Sequence, residues 1–154
     1  MKYLFVLLLA GLMVGCVEDT RPMCDKVDGL QIADESLVPS DYTGVVKECE
    51  DGKVQELLNY KDGERDGLRK LWHTNGQLWF ESNYKDDKKD GLRKHWRING
   101  QLISERNYKD GERDGLEKWW HENGQLKSEI NYKDGDLISE KCWDEDGNEI
   151  KCKH

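Results

Sequence analysis

The chain has 154 residues, of which 24 are lysine or arginine and 32 are aspartate or glutamate, giving a formal charge of -8 at pH 7. That balance argues against nucleic acid as a partner, because a phosphate backbone demands a basic footprint. Five cysteines are present, and all four that follow Cys16 lie outside the regular repeats described below.

The first 16 residues read MKYLFVLLLAGLMVGC, with one positive charge at Lys2, an apolar run from Tyr3 to about Val14, and the small residue Gly15 before Cys16. This is a signal peptide by pattern, since the run falls short of the about 20 apolar residues that a membrane helix needs. Met13-Val14-Gly15-Cys16 resembles the lipobox of bacterial lipoproteins. The resemblance implies cleavage after residue 15, acylation of Cys16, and anchoring in a membrane of the cell envelope. Several acyl chains hold firmly, each buried methylene contributing about 0.8 kcal/mol. Val17 stands where an inner-membrane retention signal would place Asp, so the resemblance implies the outer membrane.

Residues 16–40 contain both prolines, Pro22 and Pro39, and show no sustained period. From residue 17 to residue 58 the acidic residues outnumber the basic by 11 to 4. Self-repulsion is expected to extend residues 16–40 into an acidic tether. Cys24, Cys49, Cys142 and Cys152 make an even number, which outside the cytoplasm suggests two disulfides. Cys142 and Cys152 flank the turn Asp146-Gly147-Asn148 and would face each other on paired strands, which leaves Cys24 for Cys49. A zinc site of cysteine with His154 lacks close paired ligand spacing.

Residues 59–82, 83–106 and 107–130 are one block of 24 residues written three times, with 14 of 24 columns identical in all copies. A fixed period of this length signals an array whose units bury their apolar faces only by stacking on neighbours. A fourth copy starts at Asn131 and degrades, and a partial copy precedes the first, so the array is expected to fill residues 41–154 with caps at both ends. Each copy holds Asn-Gly between short segments of mixed polarity, at Asn75-Gly76, Asn99-Gly100 and Asn123-Gly124. Asn-Gly is a strong hairpin signal because both residues tolerate positive φ. A three-residue loop ending at the glycine sets Trp72 opposite Leu78. Alternation then puts Leu68, Lys70, Trp72, Leu78, Phe80, Ser82 and Tyr84 on one face, an aromatic stripe that stacking would bury. The connector Lys-Asp-Gly-x-x-Asp-Gly, at residues 61–67, reads as turn. The expectation is an all-β fold in which 24-residue hairpins form one elongated, twisted antiparallel sheet.

The Tyr-x-x-Gly opening, the Asp-Gly-Leu-x-Lys-x-Trp strand and the Asn-Gly-Gln-Leu turn resemble the bacterial variant of the MORN repeat, also found in a family of toxin-antitoxin antitoxins. The resemblance implies a binding, scaffolding or membrane-associated module. Copy two departs from the pattern at Asp87, where its siblings have glycine.

No phosphate-cradling Gly-x-x-x-x-Gly-Lys-Ser/Thr string is present, and the segment from Asp144 to Glu149 carries glycine fourth rather than sixth, unlike a calcium loop. His73 and His121 share a column with no nucleophile at a fixed spacing, so neither catalysis nor a cofactor or metal is expected. Glu81, Glu105 and Glu129 also share a column and need neighbours such as Lys85 and Lys109 to offset repulsion. The candidate binding surface is the row that varies between copies: Leu71, His95 and Trp119 in the first strand, Trp79, Ile103 and Lys127 in the second. Its large apolar groups suggest a protein partner. Self-association stays open. The expected role is a non-catalytic, membrane-anchored scaffold of the envelope; the alternative is an antitoxin or immunity-type protein.

Overall fold

The computed structural model describes residues 19–153. The signal peptide, the lipidation site Cys16 and the zinc alternative at His154 lie outside them. Twelve strands form one sheet. It opens with β1 (Leu30–Gln31), the parallel partner of β2 (Gly44–Glu50), and continues antiparallel through β3 (Lys53–Lys61), β4 (Glu64–Trp72) and β5 (Leu78–Lys85). Next come β6 (Lys88–Trp96), β7 (Leu102–Lys109), β8 (Glu112–Arg113), β9 (Gly115–Trp120), β10 (Leu126–Lys133), β11 (Asp136–Trp143) and β12 (Glu149–Ile150). Strands β8 and β9 both pair with β7. No α-helix occurs among the described residues, and the all-β architecture of tandem hairpins is the one expected.

Two kinds of turn alternate. At Asp62-Gly63 both central residues have positive φ, 51° and 80°, the two-residue turn whose twist suits antiparallel strands. In copy two Asp86 and Asp87 make the same turn at 47° and 62°. Aspartate tolerates this region because its short side chain can bond locally, and here Arg65 Nε donates to Asp87 Oδ1 over 2.7 Å. The missing glycine therefore leaves the turn intact. At the other end of each hairpin, His73 N–H donates to the Gln77 carbonyl over 2.8 Å across a three-residue loop. Only Gly76 has positive φ there, 88°. Asn75, expected to share it, instead accepts from Gln77 N–H through its side chain at 3.1 Å. Trp72 faces Leu78, as the loop length predicts.

Bulges correct two expectations. Residues 61–67 are mostly strand rather than loop: β4 begins at Glu64, and Asp66-Gly67 bulges out where Tyr60 pairs with Arg65 and Leu58 with Arg69. A Cβ on Gly67, whose φ is 106°, would lie 3.1 Å from the Asn59 Cβ. The second strand of each hairpin also bulges. Leu78 pairs with Trp72 but Phe80 pairs with Leu71, leaving Trp79 extra, and Ile103 and Lys127 are skipped in the same way. One extra residue reverses the alternation of faces. Phe80, Ser82 and Tyr84 thus leave the Trp72 face and join Leu71 and Arg69, so the single stripe becomes two. Trp72, Trp96 and Trp120 are half-buried, because one sheet supplies no second layer to cover them.

The packed core sits at the amino-terminal end. Val46, Leu58 and Tyr60 are covered by Leu30, Ile32, Val38 and Tyr42. Described residues of the expected tether are therefore not extended but seated on the sheet. Cys24 is disulfide-bonded to Cys49, Cys24 N–H donates to the Gly52 carbonyl over 2.9 Å, and Lys47 Nζ donates to the carbonyls of Cys24 and Val27 at 2.6 and 2.5 Å. Burial of scattered apolar side chains outweighs acidic self-repulsion, since Asp25, Asp28 and Asp34 remain exposed. At the other end Cys142 is bonded to Cys152, bringing β12 back onto β11. Both pairings are those read from the sequence, but Cys142 stands opposite Ile150, and Cys152 lies past the end of β12 rather than across a strand pair.

Candidate binding face

The bulges sort side chains onto two faces of different chemistry. On one, Lys70, Glu81, Lys94, Glu105, Lys118 and Glu129 stand directly opposite one another, strand after strand. Lys70–Glu81, Lys94–Glu105 and Lys118–Glu129 close to 3.3, 2.9 and 3.5 Å. The glutamate column is thus offset by Lys70, Lys94 and Lys118, not by Lys85 and Lys109. This face is charge-balanced.

The opposite face carries guanidinium groups over aromatic rings. Arg93 lies 4.8 Å from the Phe80 ring centre and Arg106 4.3 Å from that of Trp119. Arg65 over Tyr84, Lys89 over Tyr108 and Arg113 over Tyr132 continue the pattern at 5.0, 5.1 and 4.8 Å. Such contacts fix both partners while leaving the charge at the surface.

The carboxylates that answer these cations are unevenly placed. Arg69 meets Glu56 at 2.5 Å and Glu35 at 3.0 Å. Burial raises the Glu56 carboxyl above its ordinary value despite Arg69. Glu117 is buried; it accepts from Trp119 Nε1 at 2.6 Å and lies 3.5 and 3.6 Å from Arg106 and Arg113. Between these poles, among the described residues, no carboxylate lies within ion-pair distance of Arg93. Burial, Arg93, Arg106 and His73 together lower the pKa of His95. For Tyr108 burial works in the raising direction, but hydrogen bonds from Arg93 and Arg106 outweigh it and lower the phenol pKa.

All six residues of the candidate row fall on or beside this arginine face. Trp79, 40% exposed, stands between His73 and His95 with ring centres 6.0 and 5.8 Å apart. Leu71, Trp79 and His95 line one groove of about 320 Å3 with Phe80 and Arg93. Ile103 joins Trp79 and His95 in a neighbouring depression, whereas Trp119 and Lys127 line a separate cavity beside the Cys142–Cys152 disulfide. The row is therefore continuous in register but divided into pockets. Sequence reasoning missed the arginines. The signal was available, because the columns Arg69/Arg93/Glu117 and Ser82/Arg106/Ile130 also vary between copies.

The histidine column joins repeats. His73 Nε2 donates to the Trp96 carbonyl over 3.2 Å and His121 Nε2 to the Trp143 carbonyl over 2.9 Å. A carbonyl only accepts, so each ring presents its N–H there. Glu140, Cys142 and Cys152 lie within reach of one another, but the two sulfurs are bonded together and offer no thiolate to a metal.

No curated protein matches the chain. The family model described as MORN repeat variant matches residues 65–86, 89–110 and 113–134. Each match spans one hairpin, from the start of its first strand to the turn after its second. The chain thus carries three tandem copies of the MORN repeat variant between residues 65 and 134.

Proposed function

We propose that the chain is a non-catalytic protein-binding module of the cell envelope, held at a membrane by lipid on Cys16 and binding through its arginine-aromatic face. MORN repeats generally act as protein- or membrane-binding modules, and the observation that carries the reading is the exposed Trp79 beside Arg93 on one continuous face. Exposed aromatic and arginine side chains are the usual anchors of protein interfaces. The alternative, an antitoxin or immunity-type protein, uses the same face and differs in partner.

The test is affinity capture of the tagged protein from detergent-solubilised membranes, beside the Trp79→Ala/Trp119→Ala variant. A stoichiometric partner lost in the variant supports the reading, and its identity separates scaffold from immunity protein. Capture of nothing by the wild type counts against it. Retention of Cys16→Ser in the membrane fraction would contradict the anchor.

A further inference from the structure

The arginine face is already partly covered by the chain's own residues 30–42, which join the sheet edge at Leu30–Gln31 and then turn back through a 3-10 helix at Glu35–Leu37. Leu30, Ile32, Val38 and Tyr42 lie on Val46, Leu58 and Tyr60, and Glu35 reaches Arg69 at 3.0 Å. An acidic residue between apolar ones thus meets an arginine beside an apolar floor.

One repeat later the same register offers a related seat, open among the described residues: Ser82 stands where Leu58 stood, and Trp79 and Phe80 supply the apolar floor. Arg93 takes the place of Arg69 and Tyr84 that of Tyr60, while Phe80 replaces Glu56. That replacement removes the internal counterion: Arg69 has Glu56 at 2.5 Å, whereas Arg93 has the Phe80 ring at 4.8 Å and the Tyr108 hydroxyl but, among the described residues, no carboxylate. Lys89 adds positive charge nearby, in a chain whose total is -8. Trp79 borders the groove, 40% exposed.

We propose that the groove across β5 and β6 takes an acidic-apolar peptide segment of a partner protein, its carboxylate on Arg93 and its apolar side chains on Trp79 and Phe80. Its carboxylate meets Arg93 as Glu35, carried on the short 3-10 turn Glu35–Leu37, meets Arg69. The proposal rests on the binding role given above and names the chemistry of the partner.

The probe is a synthetic peptide of residues 30–40 of this chain, titrated into the full chain with tryptophan fluorescence as readout. Saturable binding is expected, weakened about tenfold or more by Asp34→Asn with Glu35→Gln in the peptide or by Arg93→Ala in the protein. A peptide carrying Asp34→Lys and Glu35→Lys should bind Arg93→Glu better than wild type, a reversal that mere unfolding does not produce. Equal binding by the neutral peptide, or by Arg93→Ala, overturns the proposal. So does Arg93-dependent binding of phosphatidylglycerol vesicles without binding of the peptide, which assigns the face to a lipid surface. If the membrane partner is still captured through Trp79 when Arg93 is replaced, the peptide chemistry fails while the binding role stands.

Discussion

The Asn59 side chain donates to the Leu68 carbonyl over 2.6 Å, and Asn83 and Asn107 repeat the bond to Leu92 and Leu116 at 3.2 and 2.7 Å. The acceptor is the residue just past the Asp-Gly bulge, where the ladder is interrupted and a carbonyl would otherwise go unpaired. This bond explains why asparagine, aspartate-glycine and leucine recur together in every copy. Asn83→Ala is expected to cost about 1–2 kcal/mol. Asn83→Asp, which cannot donate, should cost at least as much. Urea unfolding of both variants beside Lys85→Ala, an exposed neighbour, checks it; equal midpoints would remove the bulge bond from the stabilising set.

The alternating ladder on the opposite face predicts a different response. Each lysine-glutamate pair is half-exposed and contributes about 0–1 kcal/mol, so Lys94→Ala should be mild. Lys94→Glu should be worse, because the new carboxylate stands between Glu81 and Glu105. Adding about 1 M salt should narrow the gap between the two variants. Trp96→Ala should cost more than Lys94→Ala, by about 1–3 kcal/mol, with no comparable salt dependence. Thermal unfolding at two salt concentrations decides both points.

How far the structure was legible in the sequence follows from where its signals lie. Period, hairpin turns, the Trp72–Leu78 pairing and both disulfides were readable, because each rests on residue types with a narrow conformational role. The bulge at Trp79 was not, since that column holds Trp, Ile and Lys, none of which marks a bulge. Missing that one residue moved Phe80, Ser82 and Tyr84 to the wrong face and hid the arginine groove. Residues 19–40 misled for another reason: Leu30, Ile32 and Val38 have no regular spacing, so composition spoke for a tether while burial on Val46 and Leu58 decided otherwise.

Glu56 gives a pH-dependent prediction. Burial raises its folded pKa above the ordinary 4.5, and the Arg69 contact only partly opposes this. For an acid whose folded pKa is raised, the associated stability is fully present below the unfolded value and is lost as pH rises through the folded value. Wild type should therefore lose stability relative to Glu56→Gln as pH rises above 4.5. Denaturant unfolding of both proteins at about pH 4 and about pH 7 measures the difference. A difference that stays constant, or moves in favour of wild type, contradicts burial as the ruling influence on Glu56.

The Cys24–Cys49 disulfide closes a separation of 25 residues and ties the segment covering Val46, Leu58 and Tyr60 to β2. The Cys142–Cys152 bond closes only 10. Loop-closure entropy makes the longer crosslink worth more, about 3.5 kcal/mol against about 2.7 kcal/mol for the shorter. The larger contrast lies in what each holds down. Replacing Cys24 and Cys49 by serine should loosen residues 19–42, expose the apolar floor beneath them and raise amide exchange along β2 and β3. Replacing Cys142 and Cys152 should confine faster exchange to β10, β11 and β12, because repeats touch only their neighbours. Hydrogen exchange read strand by strand distinguishes these patterns. Spread of either loss evenly over all the strands would mean that the sheet opens as one unit, and the two bonds could not then be assigned to separate ends.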